Sequence, residues 1–424
     1  MLNARQVQRL LASLRAASGA TEADDSAARA RVLERLGRMV QVIRDPRRAR
    51  RVLEEMSDAE AELLVAVAGE GVLAKPPDIS QLDRVRALQA LAAAHVVLGD
   101  LETARRGFQD ALRRARRLGD RAAQVVSCRW LGEVRIRSGE HAAAARALRE
   151  ALALSEAKVV ADGSFEVSAA ERAEIHLLLG VSAYVRGRFD EAREAYEGAL
   201  TEVGAFGGAG LRARAHNNLG VLADLVGESV LAESHWRRAL ALAEMAGDSV
   251  TAGQVHYNLG FLCTHADQWE AAETHFERSE DYARRVGNEE GRALAYLGRA
   301  RLYAASLDPA RASAYCRLAL PLLQQGEDSA GLADVYVVLA QVARLEGRLR
   351  KAGREVRRAL EIAREAKLPV EEVEAMREQA LLARARGNRA EALRLFQEAL
   401  ECAETARAYR LVVVMSEDLA QLSG

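Results

Sequence analysis

The chain has 424 residues, half of them apolar but only 4% aromatic, with 6 prolines and a formal net charge of −1. That balance speaks against a protein built to grip nucleic-acid phosphates, which carries a basic excess or stripe. Ala, Leu, Arg and Glu dominate, all strong helix formers, so an all-α protein with small residues at its helix contacts is expected.

From the N-terminus, "MLNARQVQRLLASLRAASGA" lacks the unbroken apolar core of a secretion signal. The charge-free run Ala87 to Gly99 falls short of the roughly 20 apolar residues that span a bilayer. A cytoplasmic protein without membrane insertion is expected. Residues 1–80 echo the later repeat only weakly, through Leu36-Gly37 and Ala49, and "VLAKPPDIS" breaks the chain after them. They read as an irregular helical N-terminal cap or a degenerate repeat, since terminal repeats tend to be atypical.

Residues 81–404 then carry one pattern eight times. "AHNNLGVLADLVGESVLAESHWRRALALA" begins at Ala215, and "VHYNLGFLCTHADQWEAAETHFERSEDYA" follows 40 residues later. Turn positions fall at Gly99, Gly139, Gly187, Gly227, Asp267, Gly347 and Gly387, spaced by 40 or its multiples except for eight extra residues before Gly187. The excess is assigned to "KVVADGSFEVSAA", Lys158 to Ala170, where helix propensity is poor. Near Leu307 the turn is irregular. Gly132, Gly180, Gly220, Gly260 and Gly298 let a second helix approach the first, and a bulky residue such as Trp236 or Phe276 fills the gap between them. Residues 405–424 read as a C-terminal capping helix whose run Leu411 to Met415 is greasier than a solvated cap needs.

Leu-Gly, a turn Gly seven residues on, then Ala-x-x-x-aromatic-x-x-Ala-Leu resembles the tetratricopeptide repeat, at a period of 40 where about 34 is usual. Arrays with such long repeats resemble those of kinesin light chain, the Leu-Gly-Asn mitotic scaffold and bacterial Rap-type regulators. The resemblance implies a right-handed superhelix of stacked antiparallel helix pairs, an α-solenoid.

Motifs for chemistry are missing. No phosphate-binding loop, His-Glu-x-x-His or Gly-x-Ser-x-Gly is found, and "GAFGGAG" follows a helix rather than a strand. Cys128, Cys263, Cys316 and Cys402 are scattered, which fits neither a disulfide framework nor a zinc knuckle. His216 and His256 are expected to support helices rather than bind metal. No enzyme activity and no cofactor are expected.

The resemblance also places the first helix of each pair on a concave wall. Asn218 and Asn258 then fall where family members hold the backbone of a bound peptide, because a carboxamide satisfies one N–H and one C=O. Arg214, Asn217, Gln254, Tyr257, Arg292 and Arg299 are assigned to the same face. The three arginines imply a protein or peptide partner with acidic and apolar groups, and homo-oligomerisation stays open. The two-Lys carboxylate clamp is not reproduced, since Gln89 and Ala93 stand where it needs Lys and Asn. Two functions fit: a scaffold that binds a peptide segment in its groove, or a Rap-like regulator whose N-terminal unit responds to peptide.

Overall fold

The computed structural model describes residues 81–97, 99–156, 167–205, 207–326 and 328–423. The expected N-terminal cap of residues 1–80 lies outside them, as does most of the stretch assigned to the eight-residue excess. Among the described residues there are seventeen helices and no strand.

Each helix has a local cause. Side chains of Asp100, Asp120, Ser168, Asp248, Asn288, Asp308, Asp328 and Asn388 accept from the backbone N–H three residues on, satisfying an orphan donor of the first turn. Helices end in left-handed residues. Gly227, Gly347 and Gly387 do so without steric cost, but Asp267 (φ 55°), Leu307 (φ 61°), Lys367 (φ 56°) and Arg407 (φ 53°) take the same conformation. The turn at Leu307 is therefore in phase despite its sequence: 267, 307, 347 and 387 are evenly spaced.

The helices fall into two compact units, Met1–Arg186 and Gly187–Gly424. The described part of the first holds α1 (Gln81–Val97), α2 (Leu101–Leu118), α3 (Arg121–Arg137), α4 (His141–Glu156) and α5 (Ala169–Val185). Its core centres on Phe108 stacked on Trp130 at 5.4 Å between ring centroids.

The second unit holds α6 (Phe189–Val203), α7 (Ala209–Leu225), α8 (Ser229–Ala246), α9 (Ser249–His265), α10 (Trp269–Val286) and α11 (Glu289–Ala305). It continues with α12 (Pro309–Gln325), α13 (Ser329–Leu345), α14 (Leu349–Glu365), α15 (Pro369–Ala385), α16 (Arg389–Thr405) and α17 (Tyr409–Ser423). Consecutive helices pack as antiparallel pairs, the arrangement of an α-solenoid. The first helices of the pairs, α7, α9, α11, α13 and α15, also touch one another in sequence and form a continuous inner face.

Small residues set the pair spacing. A Cβ on Gly220 would lie 2.5 Å from Trp236 Nε1, and one on Gly260 would lie 2.7 Å from Phe276 Cε1. Gly298 does something else. It meets the same Phe276, but from the following pair, so the ring of Phe276 is seated between two glycines of different repeats. The residue in phase with Gly220 and Gly260 is Ala300, buried like them. Burial pushes the thiols of Cys128 and Cys316 up to about 12, so both are inert packing groups.

Candidate functional site

The inner face is built in register. On α7 the inward residues include Asn217, Asn218 and Asp224; on α9, Tyr257, Asn258, Phe261 and His265; on α11, Arg301; on α13, Asp334; and on α15, Glu374.

The amides come first. Asn258 Nδ2 donates to Asn217 Oδ1 at 2.9 Å, a bridge between neighbouring repeats. Asn217 is buried, and its backbone carbonyl accepts from Trp236 Nε1 at 3.2 Å. Asn218 is half-buried, with only a long 3.5 Å approach from Asn217 Nδ2. Of the three, Asn218 retains the most capacity to bond a ligand, while Asn217 and Asn258 are partly spent on each other.

Tyr257 continues the face, edge-on to Phe261 at 4.9 Å and to Phe276 at 6.0 Å. Burial, then the charge of Asp334, holds its hydroxyl well above the usual phenol range, so it stays protonated and able to donate. Beyond it lies a charged series. Arg301, its guanidinium 5.4 Å above the Phe261 ring, donates to Asp334 Oδ1 at 2.5 Å and also to Glu374. Burial raises the Asp334 carboxyl, with Arg301 opposing and Glu374 and Glu371 adding to the rise. On Glu374 the same burial is outweighed by Arg301 and Arg410, which keep it ionised. Arg410 of α17 closes the series, 3.5 Å from Asp224, 3.7 Å from Glu374 and 3.1 Å from His265 Nε2. His265 accepts that bond as a neutral ring; burial, then Arg410 and Arg301, holds it down at about 4.

The remaining expected residues divide. Gln254 is exposed on α9. Arg214 is half-buried on α7, its pKa drawn down to about 10 by burial against the pull of Asp248. Arg292 and Arg299 do not join the face. Arg299 is buried and pairs with Glu273, Glu277 and Glu280 of α10 at 3.1, 3.2 and 2.8 Å, with its guanidinium over Tyr315 of α12. Arg292 pairs with Glu289 at 2.7 Å and reaches Tyr296. Arg299 turns toward the outer helices and Arg292 stays on its own helix, because the register runs through Ala300 rather than Gly298, a slip of two residues. Arg301 holds the place assigned to Arg299, and the acidic partner chemistry inferred from those arginines loses their support.

The histidines form matched pairs. Nδ1 of His216 lies 3.0 Å from Nδ1 of His235, and Nδ1 of His256 lies 2.9 Å from Nδ1 of His275, each tying a first helix to its second. Among the described residues no group of three or more His, Cys, Asp or Glu is placed to hold a metal. Burial, then His235, Arg238 and Arg212, holds His216 at about 4; burial, then His275 and Arg278, does the same to His256, which also stacks on Tyr282. Depressed below their unfolded value of about 6.5, these rings bind fewer protons folded than unfolded, so stability falls as pH drops from that value toward 4. Urea midpoints measured across that window are expected to decline, and the double variant His216→Gln/His256→Gln to decline less. An equal slope in both would mean that other groups carry the acid sensitivity.

Two comparisons bear on the fold. The profile described as tetratricopeptide repeat matches residues 251–325, the part of the chain holding α9 to α12. Residues 251–325 carry the tetratricopeptide repeat, and the helix pairs that flank them in the second unit are stacked in the same way. The apo form of the quorum sensor NprR from B. thuringiensis is similar in structure at 18% identity, with 85% of this chain and 94% of that one covered and a TM-score of 0.57. Aspartyl phosphate phosphatase F from Bacillus subtilis is similar at 14% identity, covering 92% and 98%, with a TM-score of 0.55. A Rap protein complexed with competence and sporulation factor matches at 14% identity, covering 93% and 97%, with a TM-score of 0.50. At these identities the likeness is one of fold. No curated protein sequence matches the chain. Among the described residues, no helix of this repeat protein is long and apolar enough to cross a membrane.

Proposed function

We propose that the inner face of the second unit binds an extended peptide segment of a partner protein and that the chain acts by this binding rather than by catalysis. The observation that carries the reading is the run from Asn218 through Tyr257 to Arg301, Asp334 and Glu374. It sets an amide, a protonated phenol and a charged series along one continuous face of five adjoining helices. An extended peptide presents unpaired N–H and C=O groups at a spacing that such a face can satisfy, with the rings of Tyr257 and Phe261 for its apolar side chains. A second reading, a regulator whose N-terminal unit responds to peptide, is favoured by the extent of the structural likeness: the match to the Rap protein complexed with competence and sporulation factor covers 93% of this chain.

The test is selection of peptides from a displayed random library on the full chain, followed by calorimetric titration. Asn218→Ala is expected to weaken the selected peptide by about 1–3 kcal/mol, the cost of leaving a desolvated partner unpaired, with melting unchanged. Asn258→Ala is expected to lose affinity and also about 1 kcal/mol of stability, because it breaks the bridge to Asn217. Selected peptides that bind Asn218→Ala as tightly as the parent chain would move the site off this face.

A further inference from the structure

The inner face of the second unit is crossed by side chains from its own far end. Arg410 stands in the first turn of α17, yet its partners are Asp224 on α7, His265 on α9 and Glu374 on α15. Arg407, in the left-handed turn that launches α17, donates to Asp190 Oδ2 in the first turn of α6 at 2.8 Å, across 217 residues of sequence. Helix α17 therefore has two seats of different character. One is apolar: Met415 and Leu422 are buried in the cluster that holds Leu395 and Phe396, and Asp418 pairs with Arg377 at 2.6 Å. The other, on α6, α7 and α9, consists of polar contacts, with Arg407 and Asp190 largely in solvent and Arg410 and Asp224 about a quarter exposed. Ion pairs open to solvent on at least one side hold more weakly than a buried apolar cluster, so the second seat is exchangeable while the first is not.

Its position matters more than its strength. Arg410 draws on Glu374, which also binds Arg301, and it spans from there to Asp224 beside the face on which Asn218 and Tyr257 lie. We propose that α17 is a latch across the inner face: Arg410 occupies Asp224 and Glu374 as an internal guanidinium, and a peptide bearing Arg or Lys opens the latch by taking over those carboxylates. The latch stands on the contacts alone; the cationic ligand rests on the peptide-binding reading above.

Hydrogen exchange on the full chain tests the latch without any ligand. In Arg410→Gln, amides at the C-terminal ends of α7 and α9 and in the first turns of α17 are expected to exchange about tenfold faster together, a shift of roughly 1.4 kcal/mol in the opening equilibrium. The parent chain should show the same change at high salt, and the variant, left with only the Arg407–Asp190 pair, should respond to salt less. The swap Arg410→Asp with Asp224→Arg should restore slow exchange. If α17 alone speeds up while α7 and α9 are unmoved, the helix merely caps the last pair and the latch is overturned.

A second arm uses two synthetic peptides, a sequence selected on the chain with one Arg and its Gln counterpart. The Arg peptide is expected to bind Arg410→Gln about tenfold tighter than the parent, because the competing state is gone. Equal affinities of both peptides for both proteins would overturn the cationic requirement. Coupled exchange with no peptide binding to either protein would keep the latch and count against the peptide-binding reading.

Discussion

Replacing Phe276 with Ala is expected to cost the second unit about 3–5 kcal/mol, the range for emptying a fully buried aromatic site that cannot collapse. Collapse is blocked here for a specific reason. The ring is fully buried, held on one side by Gly260 and on the other by Gly298, and met edge-on by Phe261 at 5.8 Å. Two backbones already at their closest approach have no side chain to move into the void. The loss should reach the inner face as well, because Phe261 carries the guanidinium of Arg301. Urea unfolding of the variant checks the magnitude, and Phe276→Leu should recover much of it. A loss below about 1 kcal/mol would show that the neighbouring repeats close over the gap after all.

Arg301→Met is the second large effect. It leaves Asp334 without its cation and Glu374 with Arg410 alone. Breaking a fully buried pair costs about 3–5 kcal/mol; with side-chain exposures of 15–20% here, about 1–3 kcal/mol is expected at neutral pH. The loss should shrink as pH falls. Without Arg301 the folded-state pKa of Asp334 rises further above its unfolded value and that of Glu374 loses the cation that holds it down, so the folded variant binds more protons than the folded parent and acid favours it. Asp334 already has this sign in the parent: its contribution is present below the unfolded value and is lost as pH rises through the raised folded one. Denaturation of parent and variant at pH 7 and pH 5 decides the matter. A difference that grows toward pH 5 would rule out the carboxylates as its source.

What the sequence disclosed is local. Gly220 beside Trp236 and Gly260 beside Phe276 are pairs that a 40-residue phase and side-chain size suffice to predict. The turns at Asp267 and Leu307 also obey the phase, although no glycine marks them. Arg299 is misplaced by the Leu297-Gly298 dipeptide, which lies two residues out of phase with those turns. Counting would have put Arg301 on the inner face, in phase with Phe261. Asp334 and Glu374 are likewise one period apart, but a single carboxylate per helix resembles any solvated surface charge. Arg410 was beyond reach for a deeper reason. Its partners depend on the summed rotation of five helix pairs, a quantity that no short stretch of residues encodes.

The contact between α17 and α7 also changes how the second unit should come apart. In an open stack each repeat is held only by its neighbours, so unfolding begins at the ends and the terminal pairs fray independently of the middle. Joining Arg407 to Asp190 and Arg410 to Asp224 leaves that unit without a free end on either side. Fraying of the last helix then also breaks its ion pairs to the first two, so that loss of order at one end is felt as far as 217 residues away. The unit gains a cooperativity that its repeats, taken one at a time, do not possess.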